Sequence, residues 1–413
     1  MRHVRLYLPV VLVGALATCG IAGAAATPAS MRPPPTAVVS IIVREAPGAG
    51  NAPERFVLGA GGHIVRRLDI INGFEAALSE RAVQELRRVE GVAAVTRNSR
   101  VSLLDNDEDD HDLDGWDQTT DLGSIYYVSQ AVSGAGDYWD AGITGKGVDI
   151  ALIDSGVVPV NGLRTPGKIV NGADLSFDSQ SPNLRYLDGY GHGTHLAGII
   201  AGRDDESPST IKKGETTFVG IAPDARIVNV KVADAQGATD VSQVIAAIDW
   251  VVKHRRDNGL NIRVLNLSFG TDGEQDYLVD PLAFAAEVAW RKGIVVVVAA
   301  GNGGFGSAKL NNPAYDPFVI AVGGADGKGT HDWKDDVVPE WSSFGDGTRN
   351  PDLVAPGQSV VSLRVPGSFL DLQHPAGRVG STPRFFRGSG TSQAAAVLRC
   401  RGTRARAASG ADA

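Results

Sequence analysis

Ile294 to Ala300 reads Ile-Val-Val-Val-Val-Ala-Ala, an unbroken apolar run. Side chains of a strand alternate between its two faces, so a strand apolar at every position must be covered on both sides. The rest of the chain after Gly145 fits that demand. Val148 to Ile153, Ile227 to Val232, Val264 to Phe269 and Phe318 to Val322 read as further strands. Helical segments lie between them: Leu196 to Ala201 ended by Gly202, a helix capped by Asp240, and one opened by Pro281 and stopped by Gly293. In the Asp240 helix, Val241, Val244, Ile245, Ile248 and Val252 share one face. Apolar strands alternating with helices predict an α/β domain, a mainly parallel sheet with helices on both faces.

A smaller unit precedes it. Ala37 to Arg44, Gly62 to Ile71, Phe74 to Leu78 and Val92 to Val95 read as strands, with an Asn72-Gly73 turn. Ser79 caps a helix from Glu80 to Val89, which Gly91 stops. This α+β unit, 37–103, is near the lower size limit for independent folding. The acidic run Asp105 to Asp114 then marks a solvated linker, 104–122. It fits no EF-hand, since no glycine and distal glutamate fall in place.

Composition narrows the function classes. The 413 residues carry a formal charge of −8 with a pI near 5.5, which disfavours a nucleic-acid partner. Cys19 and Cys400 offer neither a structural disulfide nor a zinc spacing. Residues 1–26 read as an export signal: basic Arg2, His3 and Arg5, apolar Leu6 to Ala22, then Ala24-Ala25-Ala26. Pro9 and Gly14 argue against a membrane anchor, and Thr18 makes Cys19 a poor lipidation site. The expectation is a secreted protein with no membrane association in its mature form.

Three residues could carry chemistry together. Asp154 ends a strand, where active groups gather in parallel sheets. His192 opens a helix. Ser392 follows the glycine turn Gly388-Ser389-Gly390 at the start of Ala394-Ala395-Ala396. A serine hydroxyl needs a base, and the base an orienting carboxylate. Each residue also has a structural explanation when taken singly: a turn cap, a helix N-cap, a helix start. Asn302, between Gly301 and Gly303, could be a turn residue.

The flanking words decide more than the residues alone. Ala151-Leu152-Ile153-Asp154-Ser155-Gly156, Gly191-His192-Gly193-Thr194-His195-Leu196-Ala197-Gly198 and Gly390-Thr391-Ser392-Gln393-Ala394-Ala395 resemble the motifs of the subtilisin-like (subtilase) serine peptidases. Gly220-Ile221-Ala222-Pro223, Leu265 to Gly270, Ala300-Gly301-Asn302 and Val354 to Gly357 are similar to the family as well. The likeness runs from about Gly145 to Ala396, within a domain at 123–396. The unit at 37–103 resembles the family's inhibitory propeptide around Gly73-Phe74 and Gly91-Val92.

The resemblance implies a secreted endopeptidase that hydrolyses polypeptides through an acyl-enzyme, made as an autoinhibited precursor and acting as a monomer. Ser392 would be the nucleophile, His192 the general base and acid, and Asp154 the orienting carboxylate. Asn302 would serve the oxyanion. Leu267, Ser268, Phe269 and Gly270 would pair with an extended substrate. The propeptide-like unit would be an intramolecular inhibitor, released by a cut between Val101 and Gly123. No catalytic cofactor or metal is implied; calcium enters as a structural ion with no ligands assigned. His192 and His195 are not a zinc pair, because no glutamate lies between them. An α/β-hydrolase esterase is disfavoured, since Gly388-Ser389-Gly390 lacks the spacing of its nucleophile elbow.

The end of the chain departs from the family pattern. Residues 397–413 turn to Arg399-Cys400-Arg401-Gly402-Thr403-Arg404, where a long apolar helix is expected. This looks like a shifted reading frame or a truncation. It brings in an alternative, a binding or decoy scaffold impaired in catalysis because the helix after Ser392 is lost.

Overall fold

The structure, a computed structural model, describes residues 37–103, 121, 123–273, 275–306, 309–330, 332, 334–380 and 383–398. The segment expected to be an export signal, the acidic run and residues 399–413 lie outside the described residues.

The N-terminal unit runs β1 (Val38–Glu45), α1 (Ala52–Gly59), β2 (His63–Leu68), β3 (Gly73–Ser79), α2 (Glu80–Leu86) and β4 (Val92–Arg97). Its antiparallel sheet has the order β2-β3-β1-β4. Ser79 caps α2 as expected, accepting the Ala82 amide. Two expectations change here. α1 was not foreseen, and the expected strand Gly62 to Ile71 ends at Leu68, followed by a 3-10 turn over Asp69–Ile71. β5 (Arg100–Leu103) leaves this unit as an extended arm.

The larger domain opens with helical turns, the second being α3 (Ala135–Asp140). Then follow β6 (Asp149–Asp154), β7 (Ile169–Asp174), α4 (His192–Ala201), β8 (Arg226–Lys231), β9 (Thr239–Asp240), α5 (Val241–His254), β10 (Ile262–Leu267), β11 (Phe269–Gly270), α6 (Pro281–Arg291), β12 (Val295–Ala299), β13 (Ile320–Ala325) and β14 (Leu353–Pro356). β15 (Val360–Leu363), α7 (Phe369–Gln373), β16 (Arg378–Val379) and β17 (Phe385–Gly388) lead to a helical stretch over 391–398.

Seven strands form one parallel sheet in the order β14-β13-β12-β10-β6-β8-β7. β12 is buried at every position, as its apolar run requires. One face packs Leu196, Ile199 and Ile200 of α4 and Ala394 to Ala396; the other packs Val244, Ile248 and Val251 of α5 with Leu282 and Ala286 of α6. Asp240 and Gln243 form a full capping box on α5, and Asp280 accepts the Leu282 and Ala283 amides at the start of α6. Both sheet faces are therefore covered by helices, and on the α5/α6 face local sequence sets where the helices begin.

The two units meet on the α5/α6 side. Ile42, Leu68 and Ile71 of the N-terminal unit belong to the same buried cluster as α5 and α6. Arg44 stacks its guanidinium 3.9 Å from the Phe284 ring of α6 and donates to the Leu278 carbonyl.

Candidate active site

Asp154 is the last residue of β6, and β10 lies beside it with Leu267 paired to Ile153. Asp154 and Ser268 are thus the next residues on two neighbouring strands, roughly 5 Å apart by strand spacing. Each receives one side chain from elsewhere. His192 Nδ1 meets Asp154 Oδ1 at 2.8 Å, and both side chains are buried. The Ser392 hydroxyl donates to the Ser268 carbonyl at 3.2 Å. An acid, an imidazole and an alcohol from three distant segments converge on adjacent strand ends.

Local sequence makes this convergence feasible. Gly191 has φ of +110°, a conformation other residues rarely adopt, and it turns the chain into α4 so that His192 is the first helical residue. α4 thus starts at His192, the residue expected to open it. Gly193 lets the helix press onto the turn after Asp154: a Cβ there would lie 2.2 Å from the Gly156 carbonyl oxygen. α4 in turn is tied to the Ser392 segment, because His195 Nε2 contacts the Phe386 carbonyl at 3.1 Å and the His195 carbonyl accepts the Ser362 hydroxyl. His195 is structural here. Burial, with the charge of His192 adding to it, pushes its pKa down to about 4, so it stays neutral.

Asn302 sits just past β12. Its Oδ1 accepts both the amide and the hydroxyl of Thr391, at 3.0 and 2.9 Å. The carboxamide is thereby oriented beside Ser392, and its Nδ2 is a buried donor with no partner. A buried donor left unpaired costs stability, and such atoms concentrate where a ligand or transition state supplies the acceptor.

The segment expected to bind substrate, Leu267 to Gly270, is divided between two strands. Val264 to Phe269 was expected as one strand; it ends at Leu267, and Phe269–Gly270 form the separate β11. β11 pairs antiparallel with the arm β5: Leu103 stands opposite Phe269 and Ser102 opposite Gly270. On its other side β5 pairs with β9, Val101 opposite Thr239. The arm is thus paired on both edges, and β11 begins one residue after Ser268.

Sequence reasoning missed Ser155 and Asp188. The Ser155 hydroxyl lies 3.1 Å from Asp154 Oδ1 and 2.8 Å from Asp188 Oδ1. Asp188 accepts the Gly191 and Thr194 amides and so caps α4. Burial raises its pKa, and those donors work against that rise. Its loop gives no periodic signal, because its partners come from other segments. Among the described residues, no group of three or more His, Cys, Asp or Glu side chains is placed to hold a metal.

A family model for the subtilase family matches residues 145–398, more than half of the chain. The protein belongs to the subtilase family. It is 37% identical over 264 residues to the serine protease AprX of Bacillus subtilis (strain 168), covering 62% of this chain and 56% of that protein. It is 29% identical over 315 residues to the minor extracellular protease Epr of the same organism, covering 76% of this chain and 40% of that protein. The chain thus spans about half the length of these curated relatives. Among solved structures it resembles fervidolysin from Fervidobacterium pennivorans, with a TM-score of 0.67 and 20% identity over 92% of this chain and 56% of that one. That likeness supports the subtilase fold.

Proposed function

We propose that this subtilase is a secreted serine endopeptidase made as an autoinhibited precursor. Ser392 Oγ attacks the substrate carbonyl while His192 Nε2 takes its proton. Asp154 holds the Nδ1–H and stabilises the imidazolium that forms. The Asn302 amide and the Ser392 N–H receive the charge on the tetrahedral oxygen. His192 returns the proton to the leaving amine, and water then releases the acyl group by the same route. The chemistry draws only on side chains and backbone groups.

One observation carries the reading: β5 lies between β9 and β11, and β11 begins one residue after Ser268, whose carbonyl accepts the Ser392 hydroxyl. An extended segment held on both edges has the geometry of a bound peptide. Because that segment belongs to the N-terminal unit, the unit blocks the groove until the chain is cut beyond Leu103. Export rests on the basic and apolar start of the chain. Among the described residues, no helix is long and apolar enough to cross a membrane.

A fluorophosphonate probe tests this. It should label the wild-type chain at Ser392, slowly while the chain is intact and faster once it is cut beyond Leu103, and leave Ser392→Ala unlabelled. Folded protein that stays unlabelled even after a cut beyond Leu103 would reject the peptidase reading in favour of the scaffold. Ser392 itself stands on helical backbone in which Ala394, Ala395 and Ala396 are fully buried.

A further inference from the structure

We propose that Asp188 and Ser155 are positioning residues that set how firmly Asp154 holds the His192 proton; the proposal rests on the catalytic roles given above. Asp154, Ser155, Asp188 and His192 are each at most 1% exposed. Ser155 follows Asp154 directly, and its hydroxyl oxygen accepts the Gly193 amide at 3.0 Å. That oxygen also faces two carboxylates, Asp188 Oδ1 at 2.8 Å and Asp154 Oδ1 at 3.1 Å. A hydroxyl has one proton and can give it to only one of them at a time.

The choice matters because of which Asp154 oxygen is involved. Asp154 Oδ1 already accepts His192 Nδ1 at 2.8 Å and the Ser155 amide at 2.8 Å. A third donor on that atom would draw off its charge and loosen its hold on the imidazole. Giving the proton to Asp188 avoids this, and the shorter contact is the one to Asp188. The other partners of Asp188 are also donors: the Gly191 amide at 2.6 Å and the Thr194 amide at 2.8 Å. A carboxyl ringed by donors is placed as an acceptor, and those donors oppose the rise that burial gives its pKa. The same carboxylate therefore caps the helix that begins at His192 and draws the Ser155 proton away from Asp154.

Other charged groups nearby are accounted for. His195, one turn along α4, is buried and neutral. Lys231, at the end of β8 beside β6, is engaged by Asp178 and by the Leu184 and Leu187 carbonyls. Neither competes for the Ser155 hydroxyl.

The His192 titration, followed by ring-nitrogen NMR in full-length Ser392→Ala protein, tests this without depending on turnover. Asp188→Asn should lower the His192 pKa by about one unit, as the hydroxyl turns to Asp154. In the Ser155→Ala background the same substitution should move it by less than half as much. In the active enzyme, Asp188→Asn should move the acid limb of kcat/KM downward and cut kcat about tenfold with KM within twofold. Ser155→Thr should restore the behaviour lost in Ser155→Ala. Equal shifts in both backgrounds would mean a field effect only and would overturn the proposal. So would an unmoved titration with a fall in melting temperature alone. Should Asp188→Asn fail to fold, Ser155→Ala decides: an unchanged His192 pKa supports the proposal, and a rise of a unit overturns it. An inactive wild type would defeat the peptidase reading, while the titration would still report on Asp188.

Discussion

The Ser242 hydroxyl, in the first turn of α5, lies 2.9 Å from Glu75 of the N-terminal unit, with both side chains buried, and 2.8 Å from Asp240 at its own helix cap. Glu75 also takes Ser40, Asn98 and Arg66, and Asn98 returns to accept the Ser242 amide at 3.0 Å. A carboxylate of one unit thus sits at the positive end of a helix in the other, where negative charge is stabilised.

Glu75→Gln keeps the shape of that contact and removes its charge. Charged hydrogen bonds are roughly twice as strong as neutral ones, so the docked state should weaken by on the order of 1 kcal/mol. The expected outcome is labelling of Ser392 in the intact chain about fivefold faster than in wild type, read from probe time courses on the uncut band. Unchanged labelling would remove Glu75 from the inhibitory contact.

Asn302→Ala removes the amide whose Nδ2 lacks a partner. The variant should fold, with kcat lower by about 10²–10³ and KM within a few-fold, a magnitude carried over from a subtilisin oxyanion amide rather than derived from this chain. Steady-state kinetics on a peptide substrate checks it. A drop confined to KM would make Asn302 a substrate-binding residue.

The site was more legible than the scaffold that holds it. Asp154, His192 and Ser392 stood out because their neighbours are small residues in unusual words: glycines at 156, 191 and 193 permit turns and close approaches that other residues would block. β12 was legible because its burial on both faces leaves a continuous apolar run. β7 was not, since it is a half-buried edge strand carrying Asn171, Gly172 and Asp174. Gly193, a poor helix former inside α4, is kept helical by tertiary burial. Asp188 was invisible for a different reason. Its partners at 155, 191 and 194 come together only after folding.

His195 gives the fold an acid sensitivity. Its folded pKa, about 4, lies below its ordinary value of 6.5 because burial disfavours the charged form. The unfolded chain therefore binds the proton first. Stability is full above about pH 6.5 and falls as pH drops toward 4, by at most about 1.4 kcal/mol per pH unit. His195→Gln, which can still donate to the Phe386 carbonyl, should flatten this slope in denaturant titrations of Ser392→Ala protein. An identical slope in parent and variant would assign the sensitivity elsewhere.

Asp316 works in the opposite sense over an overlapping window, so only the difference between variant and parent is informative. Its side chain is fully buried; Oδ1 accepts the Phe318 amide at 2.8 Å, while Oδ2 has no partner. Burial pushes its pKa up to about 7, with Glu287 adding to the rise and Arg349 and Arg291 opposing it. The native state then holds a proton that the unfolded chain has lost. Stability falls as pH rises from about 4 to 7, and the full penalty applies above that. Asp316→Asn keeps an acceptor for Phe318 and never ionises. In the Ser392→Ala background, which prevents self-digestion, its melting temperature should match the parent near pH 4 and exceed it by about 2–4 °C at pH 8. Equal melting temperatures at both pH values would mean that Asp316 is already relieved of its burial in solution.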